Sequence, residues 1–330
     1  MSTPSAHPAP LLTPPVPTAT RILGLGHYQP ANVVTNADLI ARGVDTNDEW
    51  ILSRVGIASR HFAEPDETVV DLAVAAGGKA LANAGVDAAT IGLVIVATCT
   101  MPTAVPTAAP RVAARLGIAT PGAYDLNSGC AGFAYALSAA SAAVQSGQAE
   151  HVLVIAAERF SGWLDFTDRS TCVILADGAG AAVVGPSDEP GFGPIVWGSD
   201  GDMADSITID EHTGFFRQDG QSVFRWATSN VAPVALEACR RAGVEVADLA
   251  AFVPHQANLR IIDPLARKIG VPATCVVARD IIESGNTSAA TIPLALSKLV
   301  ERGEIPSGAP VLIVGFGAGL AYAAQVLLAP

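Results

Sequence analysis

The sequence lacks the uninterrupted apolar run of about eighteen or more residues that a membrane-spanning helix requires. Half of its 330 residues are hydrophobic, but its long apolar stretches, such as those at 152–157 and 311–314, are still short and are rich in β-branched residues. Such runs are typical of strands in a sheet that is covered on both faces. We therefore expect a soluble α/β protein with a large core and no membrane partner.

Basic residues are also scarce. The chain has 19 Lys and Arg residues against 31 Asp and Glu residues, which gives a net charge of −12 at pH 7. Because nucleic-acid-binding proteins present a basic face, this balance argues against nucleic acid as a partner. It still allows a local basic patch that binds an acidic partner.

Cysteines are few and scattered. None of the five forms a CxxC pair, so the sequence offers no clustered metal ligands and we expect no metal site. Nothing suggests a disulfide framework, which favours a reducing cytoplasm. Cys99, Cys172 and Cys275 have apolar residues within a few positions in the sequence, so we predict that they are small core residues.

Residues 1–20 are rich in Pro, Ala and Thr and lack the features of a signal peptide, so we predict a disordered tail. From 21 to 190, strand and helix patterns alternate, which predicts a parallel sheet covered by helices. Residues 191–330 repeat this order; the strands that begin at Leu93 and Ala251, for example, lie 158 positions apart. We therefore predict a duplicated fold with halves 21–190 and 191–330, and ligands bound where their strand ends meet.

Three motifs place reactive side chains at strand ends or helix starts. Cys130 precedes the apolar stretch 131–147, where a helix dipole would favour its thiolate. His255 follows a predicted strand, and Asn286 lies in a predicted turn or helix cap. Each alone is more typical of a structural residue. Together they suit formation of a thioester, decarboxylation of a second thioester, and joining of two carbons, with His and Asn N–H groups stabilising the enolate.

The order and spacing of the motifs resemble the thiolase superfamily and, within it, β-ketoacyl-acyl-carrier-protein synthase III. The likeness runs from about residue 21 to residue 328. The matching stretches are DEWI at 48–51, RVGI at 54–57, CAGF at 130–133, DGAGAA at 177–182, PHQANLR at 254–260, GNTSAA at 285–290 and GFGAG at 315–319. The resemblance implies a thiolase-like duplicated fold, a five-layer αβαβα sandwich, that works as a homodimer and uses no cofactor.

The resemblance also implies roles for individual residues. Cys130 would accept the acyl group, and His255 with Asn286 would form the decarboxylation site. The backbone N–H groups of Cys130 and Ala318 would form the oxyanion hole, and Phe316 would crowd the malonyl carboxylate.

Further positions match the family's contacts with acyl-CoA, which is a substrate, and with the carrier protein. Trp50 and Arg169 match residues that sandwich the adenine, and Arg54 matches a phosphate contact. The positions that match the pantetheine tunnel are Gly220, Phe224, Ala257 and Asn258. The basic residues that match the carrier-protein docking rim are Arg225, Arg260, Arg267 and Lys268.

The chain departs from the family pattern at three places. Ala318 replaces the middle glycine of a triplet, and Ala58 stands where the family has a further arginine that contacts the CoA phosphates. Val105 stands where a phenylalanine often closes the far end of the acyl pocket. A smaller residue there predicts a longer or branched primer.

The resemblance implies decarboxylative condensation of an acyl-CoA primer with malonyl-acyl-carrier protein, which initiates fatty acid synthesis. The products would be a 3-oxoacyl-acyl-carrier protein, carbon dioxide and CoA. A starter-unit ketosynthase or acyltransferase of a specialised polyketide pathway is the alternative. An inactive partner subunit of a synthase pair is a further reading, against which the presence of all three reactive residues speaks. A non-decarboxylating thiolase would need a second cysteine near 315–319, and none is there.

Overall fold

The structure is a computed structural model that describes residues 19–330. The predicted tail therefore lies outside the described residues, except for Ala19 and Thr20, which begin the first strand. The strands are β1 Ala19–Tyr28, β2 Val33–Thr35, β3 Ser59–His61, β4 Ile91–Ala97, β5 Gly122–Leu126, β6 His151–Arg159, β7 Asp177–Ser187, β8 Val196–Ser199, β9 Ile207–Ile209, β10 Phe216–Gln218, β11 Ala251–Pro254, β12 Val276–Val277, β13 Pro310–Gly317 and β14 Ala321–Leu328. The helices are α1 Asn36–Ala41, α2 Asp48–Arg54, α3 Val69–Ala84, α4 Ala108–Arg115, α5 Gly132–Gln145, α6 Gly220–Ala242, α7 Leu259–Ile269, α8 Ile281–Ser284 and α9 Thr291–Glu301.

Two five-stranded sheets share one topology. Their strand orders are β1-β7-β6-β4-β5 and, read in the same sense, β8-β14-β13-β11-β12. In each sheet the first two pairings are antiparallel and the last two are parallel. The helices correspond as well, because α3, α4 and α5 occupy the same places in the first half as α6, α7 and α9 in the second. The duplicated thiolase-like fold is thus confirmed.

The expectation of a parallel sheet is wrong for one of the five strands in each half, because β7 and β14 run antiparallel to both of their neighbours. Strand β7 follows β6, and β14 follows β13, without an intervening α-helix, so each returns antiparallel to its neighbour. Strands buried on both faces carry the same apolar pattern whether they run parallel or antiparallel to their neighbours. The sequence therefore does not reveal strand direction. The division at 190/191 stays a prediction. It lies in the connection between β7, which ends at Ser187, and β8, which begins at Val196.

The helices and sheets stack in five layers. Helices α3 and α4 cover the outer face of the first sheet, α5 and α9 lie between the sheets, and α6 and α7 cover the outer face of the second. Helix α5 is apolar on nearly every face and is buried accordingly. Within residues 19–330, no helix has both the length and the apolar character that a bilayer crossing demands.

Local signals in the sequence set the ends of the outer helices. Thr68 and Asp71 form a capping box at the start of α3, and Gly85 ends it in the left-handed conformation. Gly243 and Gly270 end α6 and α7 in the same way. Helix α3 therefore runs from the residue after its Thr68 cap to the residue before Gly85.

The middle layer approaches the first sheet closely at Gly180. A Cβ atom at Gly180 of β7 would lie 2.6 Å from the backbone N of Leu294 and 2.7 Å from the carbonyl C of Pro293 in α9. Only glycine lets this helix backbone rest on the strand. The contact matters for the site because α9 follows the loop that holds Asn286.

We predict that Gly180→Ala lowers the free energy of unfolding by about 1–3 kcal/mol, the usual cost of overpacking. The matched control is Gly201→Ala, since a Cβ there meets no atom within 4 Å. Urea denaturation of both variants measures the difference. Equal midpoints for the two variants would contradict this account of the layer contact.

Candidate active site

Loops from both halves meet in one cavity. Cys130 lies in a 3₁₀ turn, Gly129–Ala131, between β5 and α5, and Asn286 precedes α9 at the equivalent place in the second half. His255 directly follows β11. All three line a cavity of about 820 Å³, counted with its opening to solvent.

Nine residues singled out from the sequence line this cavity, and twelve others join them. The nine are Cys130, Gly220, Phe224, His255, Ala257, Asn258, Asn286, Phe316 and Ala318. The others are Cys99, Gly129, Phe160, Ile174, Leu175, Ile207, Phe216, Gln218, Val223, Ile261, Ser288 and Gly317. The lining is largely apolar, which suits an acyl chain.

Glycines bring the backbone of β13 and the loop after it against the Cys130 turn. A Cβ atom at Gly317 would lie 2.7 Å from the Cβ and 2.8 Å from the Sγ of Cys130. A Cβ atom at Gly129, whose φ is +49°, would lie 3.0 Å from the Cβ of Ala318. The methyl group of Ala318 is therefore accommodated because position 129 has no side chain.

The Cys130 sulfur is surrounded by hydrogen-bond donors and by apolar groups. The backbone N–H groups of Cys130 and Ala318 both reach it, and its thiol donates to Ser288 Oγ at 3.5 Å. Burial nevertheless raises the pKa of the thiol to about 11. The sequence-based expectation of a thiolate is thus wrong for the free cavity, since removal from water outweighs the helix dipole.

His255 is neutral, and its tautomer follows from its neighbours. The imidazole is only 2% exposed, and burial lowers its pKa to about 3. Its Nδ1 lies 2.8 Å from Thr291 Oγ1, and that hydroxyl also lies 2.9 Å from the carbonyl O of Ser288. This hydroxyl has one hydrogen, and whether Ser288 O or His255 Nδ1 receives it decides which imidazole nitrogen carries the N–H. The Phe316 ring packs edge-on against the imidazole, with centroids 5.3 Å apart.

Asn286 is held by both halves and is not a helix cap. Its backbone N–H donates to Ile174 O at 2.9 Å, and its carbonyl accepts from Ala176 N at 2.9 Å. Its Oδ1 accepts from Ser288 N at 2.8 Å. Because the oxygen is engaged, the carboxamide presents its Nδ2 donor to the cavity.

A polar cluster behind Cys130 was missed at the sequence level. Cys99, predicted as core, lines the cavity instead. Its backbone N and its thiol both donate to Glu158, which is fully buried at the end of β6. The hydroxyls of Thr98 and Thr100 donate to the same carboxyl. The available signal was an acidic residue directly after the apolar run 152–157.

The residues assigned to the adenine and the phosphates lie outside the cavity lining. The guanidinium of Arg169 stacks directly over the Trp50 ring, 5.1 Å from its centroid, and donates to Asp45 O at 2.9 Å. The two side chains touch each other and leave no gap for a base. Arg54 is exposed at the end of α2, where its carbonyl accepts from Asn258 Nδ2 at 3.2 Å.

Val105 does not close the pocket of its own chain. It is 82% exposed and lies outside the cavity lining, so within one chain the predicted acyl-pocket contact is wrong. The segment between β4 and α4 carries Val105 outward, a direction that sequence matching does not reveal.

The four rim cations lie on two packed helices. Arg225 is on α6, and the others are on α7, which packs against α6. The guanidinium of Arg260 stands 5.8 Å from the centroid of Phe224, which lines the cavity. The remaining two are Arg267 and Lys268, and the Nζ of Lys268 donates to Thr228 O at 2.9 Å. Among residues 19–330, no group of His, Cys, Asp and Glu side chains is arranged to hold a metal ion.

Comparison with known proteins gives a consistent answer. The N-terminal and C-terminal sequence models of 3-oxoacyl-[acyl-carrier-protein] synthase III match residues 124–201 and 239–328. Beta-ketoacyl-[acyl-carrier-protein] synthase III 4 of Streptomyces coelicolor is 56% identical over 314 residues, which cover 94% of this chain and 99% of that protein.

Solved structures agree with the sequence matches. The priming beta-ketosynthase of the R1128 polyketide pathway superposes with a TM-score of 0.94 at 48% identity, covering 97% of this chain and 99% of its own. The synthase III of Aquifex aeolicus superposes with a TM-score of 0.89 at 38% identity, covering 94% of this chain and 100% of its own.

We predict that Gly317→Ala displaces the Cys130 sulfur and slows its alkylation by iodoacetamide at least about tenfold, because a misplaced reacting atom costs this much or more. The fold should persist, as judged by circular dichroism. Gly162→Ala is the control, since no atom lies within 4 Å of a Cβ at that position. Unchanged alkylation of Gly317→Ala would mean that the close contact does not position the thiol.

Proposed function

The chain belongs to the 3-oxoacyl-[acyl-carrier-protein] synthase III family of acyl-transferring condensing enzymes, and we propose that it joins an acyl-CoA primer to malonyl-acyl-carrier protein. The products are a 3-oxoacyl-acyl-carrier protein, carbon dioxide and CoA, and the step initiates fatty acid synthesis. The observation that carries this proposal is that Cys130, His255 and Asn286 line one apolar cavity.

In the first half-reaction, the Cys130 sulfur attacks the thioester carbonyl of the primer and CoA leaves. The negative charge of the tetrahedral intermediate falls on the former carbonyl oxygen. The backbone N–H groups of Cys130 and Ala318, which already reach the sulfur, are placed to donate to that oxygen. Both donors belong to a rigid backbone contact, so little reorganisation is needed.

In the second half-reaction, the malonyl group loses carbon dioxide. The electron pair of the broken carbon–carbon bond forms an enolate, which then attacks the acyl carbon and displaces the Cys130 sulfur. Asn286 Nδ2 donates to the enolate oxygen. His255 donates to the same oxygen from Nε2, in the neutral tautomer whose Nδ1 accepts the Thr291 hydroxyl hydrogen. Phe316 keeps the site around the carboxylate apolar.

The nucleotide and the pantetheine occupy different parts of the entrance. Gly220, Phe224, Ala257 and Asn258 line the channel that leads to Cys130 and suit the pantetheine arm. Trp50 and Arg169 offer planar faces to the adenine, and their direct stacking opens to admit it. Arg54 binds the phosphates of CoA, since position 58 has an alanine instead of the second arginine found in the family.

The first sheet has an open edge at which a homodimer could form. On its outer side β5 pairs with no strand of residues 19–330, and Tyr124 on this edge is exposed. Pairing with a second copy would cover that edge. Since Val105 lies outside the cavity of its own chain, it can line an acyl pocket only in the other copy of such a dimer. We therefore retain Val105 as an acyl-pocket residue of the dimer. All five cysteine thiols are free, which supports a reducing cytoplasm.

A starter-unit ketosynthase of a polyketide pathway is the second candidate. The likeness to a priming ketosynthase of such a pathway favours it. The same cavity and the same half-reactions serve both candidates, and they differ in the primer and in the carrier protein.

The proposal predicts that two variants separate the half-reactions. His255→Ala and Asn286→Ala should each slow release of labelled carbon dioxide from malonyl-carrier protein by about a hundredfold, the usual effect of losing one such donor. Acylation of Cys130 by acyl-CoA should stay within a few-fold of wild type.

Cys130→Ala is the companion variant and should form no 3-oxoacyl product. The matched control is Cys239→Ala, which removes a buried thiol of α6 far from the cavity. Normal product formation by Cys130→Ala, or loss of both half-reactions in His255→Ala, would refute the assigned roles.

The rim cations predict a separate effect on carrier-protein docking. Reversing Arg260 and Lys268 to Glu should raise the KM for malonyl-carrier protein and leave acylation by acyl-CoA unchanged, since exposed rim charges mainly steer association. Steady-state kinetics at low and high salt measure both. Equal damage to the two half-reactions would show that the cations do not act in docking.

A further inference from the structure

A chain of hydrogen bonds leads from the reactive sulfur to a buried carboxyl. Cys130 Sγ donates to Ser288 Oγ at 3.5 Å, and Ser288 Oγ lies 3.8 Å from Cys99 Sγ. The thiol of Cys99 in turn donates to Glu158 Oε1 at 3.3 Å. Glu158 is 0% exposed. Two side chains, Ser288 and Cys99, thus connect the nucleophile to a group that no step above uses.

The neighbours of Glu158 show which way the hydrogens point. Thr100 Oγ1 accepts from Arg159 N at 2.9 Å, and Thr98 Oγ1 accepts from Thr100 N at 3.3 Å. Their hydroxyl hydrogens are therefore free to donate to Glu158, at 2.6 Å and 3.1 Å. With the N–H and thiol of Cys99, the carboxyl faces donors only, which is the environment of an ionised acceptor.

Ser288 is held in place at a cost. Its φ is +51°, a left-handed conformation that is rare for a residue with a side chain. Such strain, on the order of 1–3 kcal/mol, persists where surrounding structure enforces it and clusters at functional sites. Among residues 19–330, the hydrogen-bond partners of the Ser288 hydroxyl are the two thiols, and a continuous chain has it accept from Cys130 and donate to Cys99.

We propose that Glu158 stores the Cys130 proton while the acyl thioester exists, receiving it through Ser288 and Cys99. This inference rests on the proposed acylation of Cys130. Glu158 touches no substrate atom, so it is a positioning residue that acts through the two intervening side chains.

The proton and electron balance closes over the cycle. As Cys130 attacks the primer, its proton passes to Ser288, the Ser288 proton to Cys99, and the Cys99 proton to Glu158. The carbon–sulfur bond to CoA breaks, and the CoA thiolate takes a proton from water at the cavity mouth. When condensation later expels the Cys130 thiolate, the same chain returns the stored proton from Glu158.

The proton transfer avoids placing a second negative charge in the buried site. Burial raises the pKa of the Cys130 thiol to about 11 and also raises the pKa of the Glu158 carboxyl, so neither buried charge is favourable alone. Moving the proton between them shifts a negative charge without creating a second one. The titratable groups that face Glu158 are the thiols of Cys99 and Cys130, which belong to the same chain of hydrogen bonds. Asp177 on β7 is bound by the backbone N–H groups of Ala63 and Ser161 instead.

Paired variants at position 99 test the chain. Cys99→Ser keeps a hydrogen-bond donor and acceptor at position 99, whereas Cys99→Ala removes both. The serine and alanine side chains are nearly the same size, so the two variants differ mainly in hydrogen bonding. In single-turnover CoA release, Cys99→Ala should acylate at least about tenfold more slowly at pH 7, as expected for loss of proton transfer. Cys99→Ser should stay within about threefold under the same reasoning. Cys239→Ala controls for loss of a buried thiol.

The pH profile separates this role from a structural one. Wild-type acylation should fall only in acid, where Glu158 is already protonated, and be flat above that range. In Cys99→Ala the rate should rise with pH, because solvent base must deprotonate a thiol whose pKa burial has raised to about 11. Parallel profiles for Cys99→Ala and wild type would overturn the proposal.

Infrared difference spectroscopy gives an independent readout. Acylation of the wild-type protein should produce the carbonyl band of a protonated carboxyl group, which Glu158→Gln and Cys99→Ala should lack. Acylation without this band would contradict storage on Glu158. If the wild-type protein is not acylated by any acyl-CoA, the proposed function itself fails, and that outcome is distinct from the others.

Discussion

The backbone contact between the Cys130 turn and the segment after β13 is the constraint on which the site depends. Gly317 leaves space for the Cys130 side chain, and Gly129 leaves space for Ala318. The two segments belong to different halves of the duplicated fold, so the nucleophile is positioned by the packing of one half on the other. The same contact aims the Ala318 N–H at the sulfur.

Burial then decides the charge state of the ionisable groups at the cavity. His255 stays neutral and Cys130 stays protonated, because neither is paired with an opposite charge that would offset burial. Asn286 provides a donor without any charge. Chemistry in such a site must move charge rather than generate it. In our proposal, an ionised Glu158 carboxyl behind Cys99 allows this.

Much of the site could be predicted from sequence, because its residues fall in short motifs at strand ends. The positions of Cys130, His255 and Asn286 in one cavity follow from the repeat, since equivalent strands of a duplicated fold end at equivalent places. Features that depend on three-dimensional neighbours could not be predicted. The tautomer of His255 depends on where the Thr291 hydroxyl donates, and the protonation of Cys130 depends on burial.

Other misses have equally physical causes. Cys99 closely follows the apolar strand β4, yet the chain leaves the sheet just before it and turns its thiol into the cavity. Val105 matches a pocket position in the family, but its loop points outward in a single chain. Strand direction was missed because fully buried strands carry no directional pattern.

The central claim is that the Cys130 sulfur, and no other thiol, receives the acyl group at the floor of this cavity. Intact-protein mass spectrometry after exposure to a mixture of acyl-CoAs, followed by peptide mapping, tests it most directly. The account predicts one acyl adduct per chain, on the peptide that contains Cys130. An adduct on Cys99, or no adduct with any chain length, would contradict it.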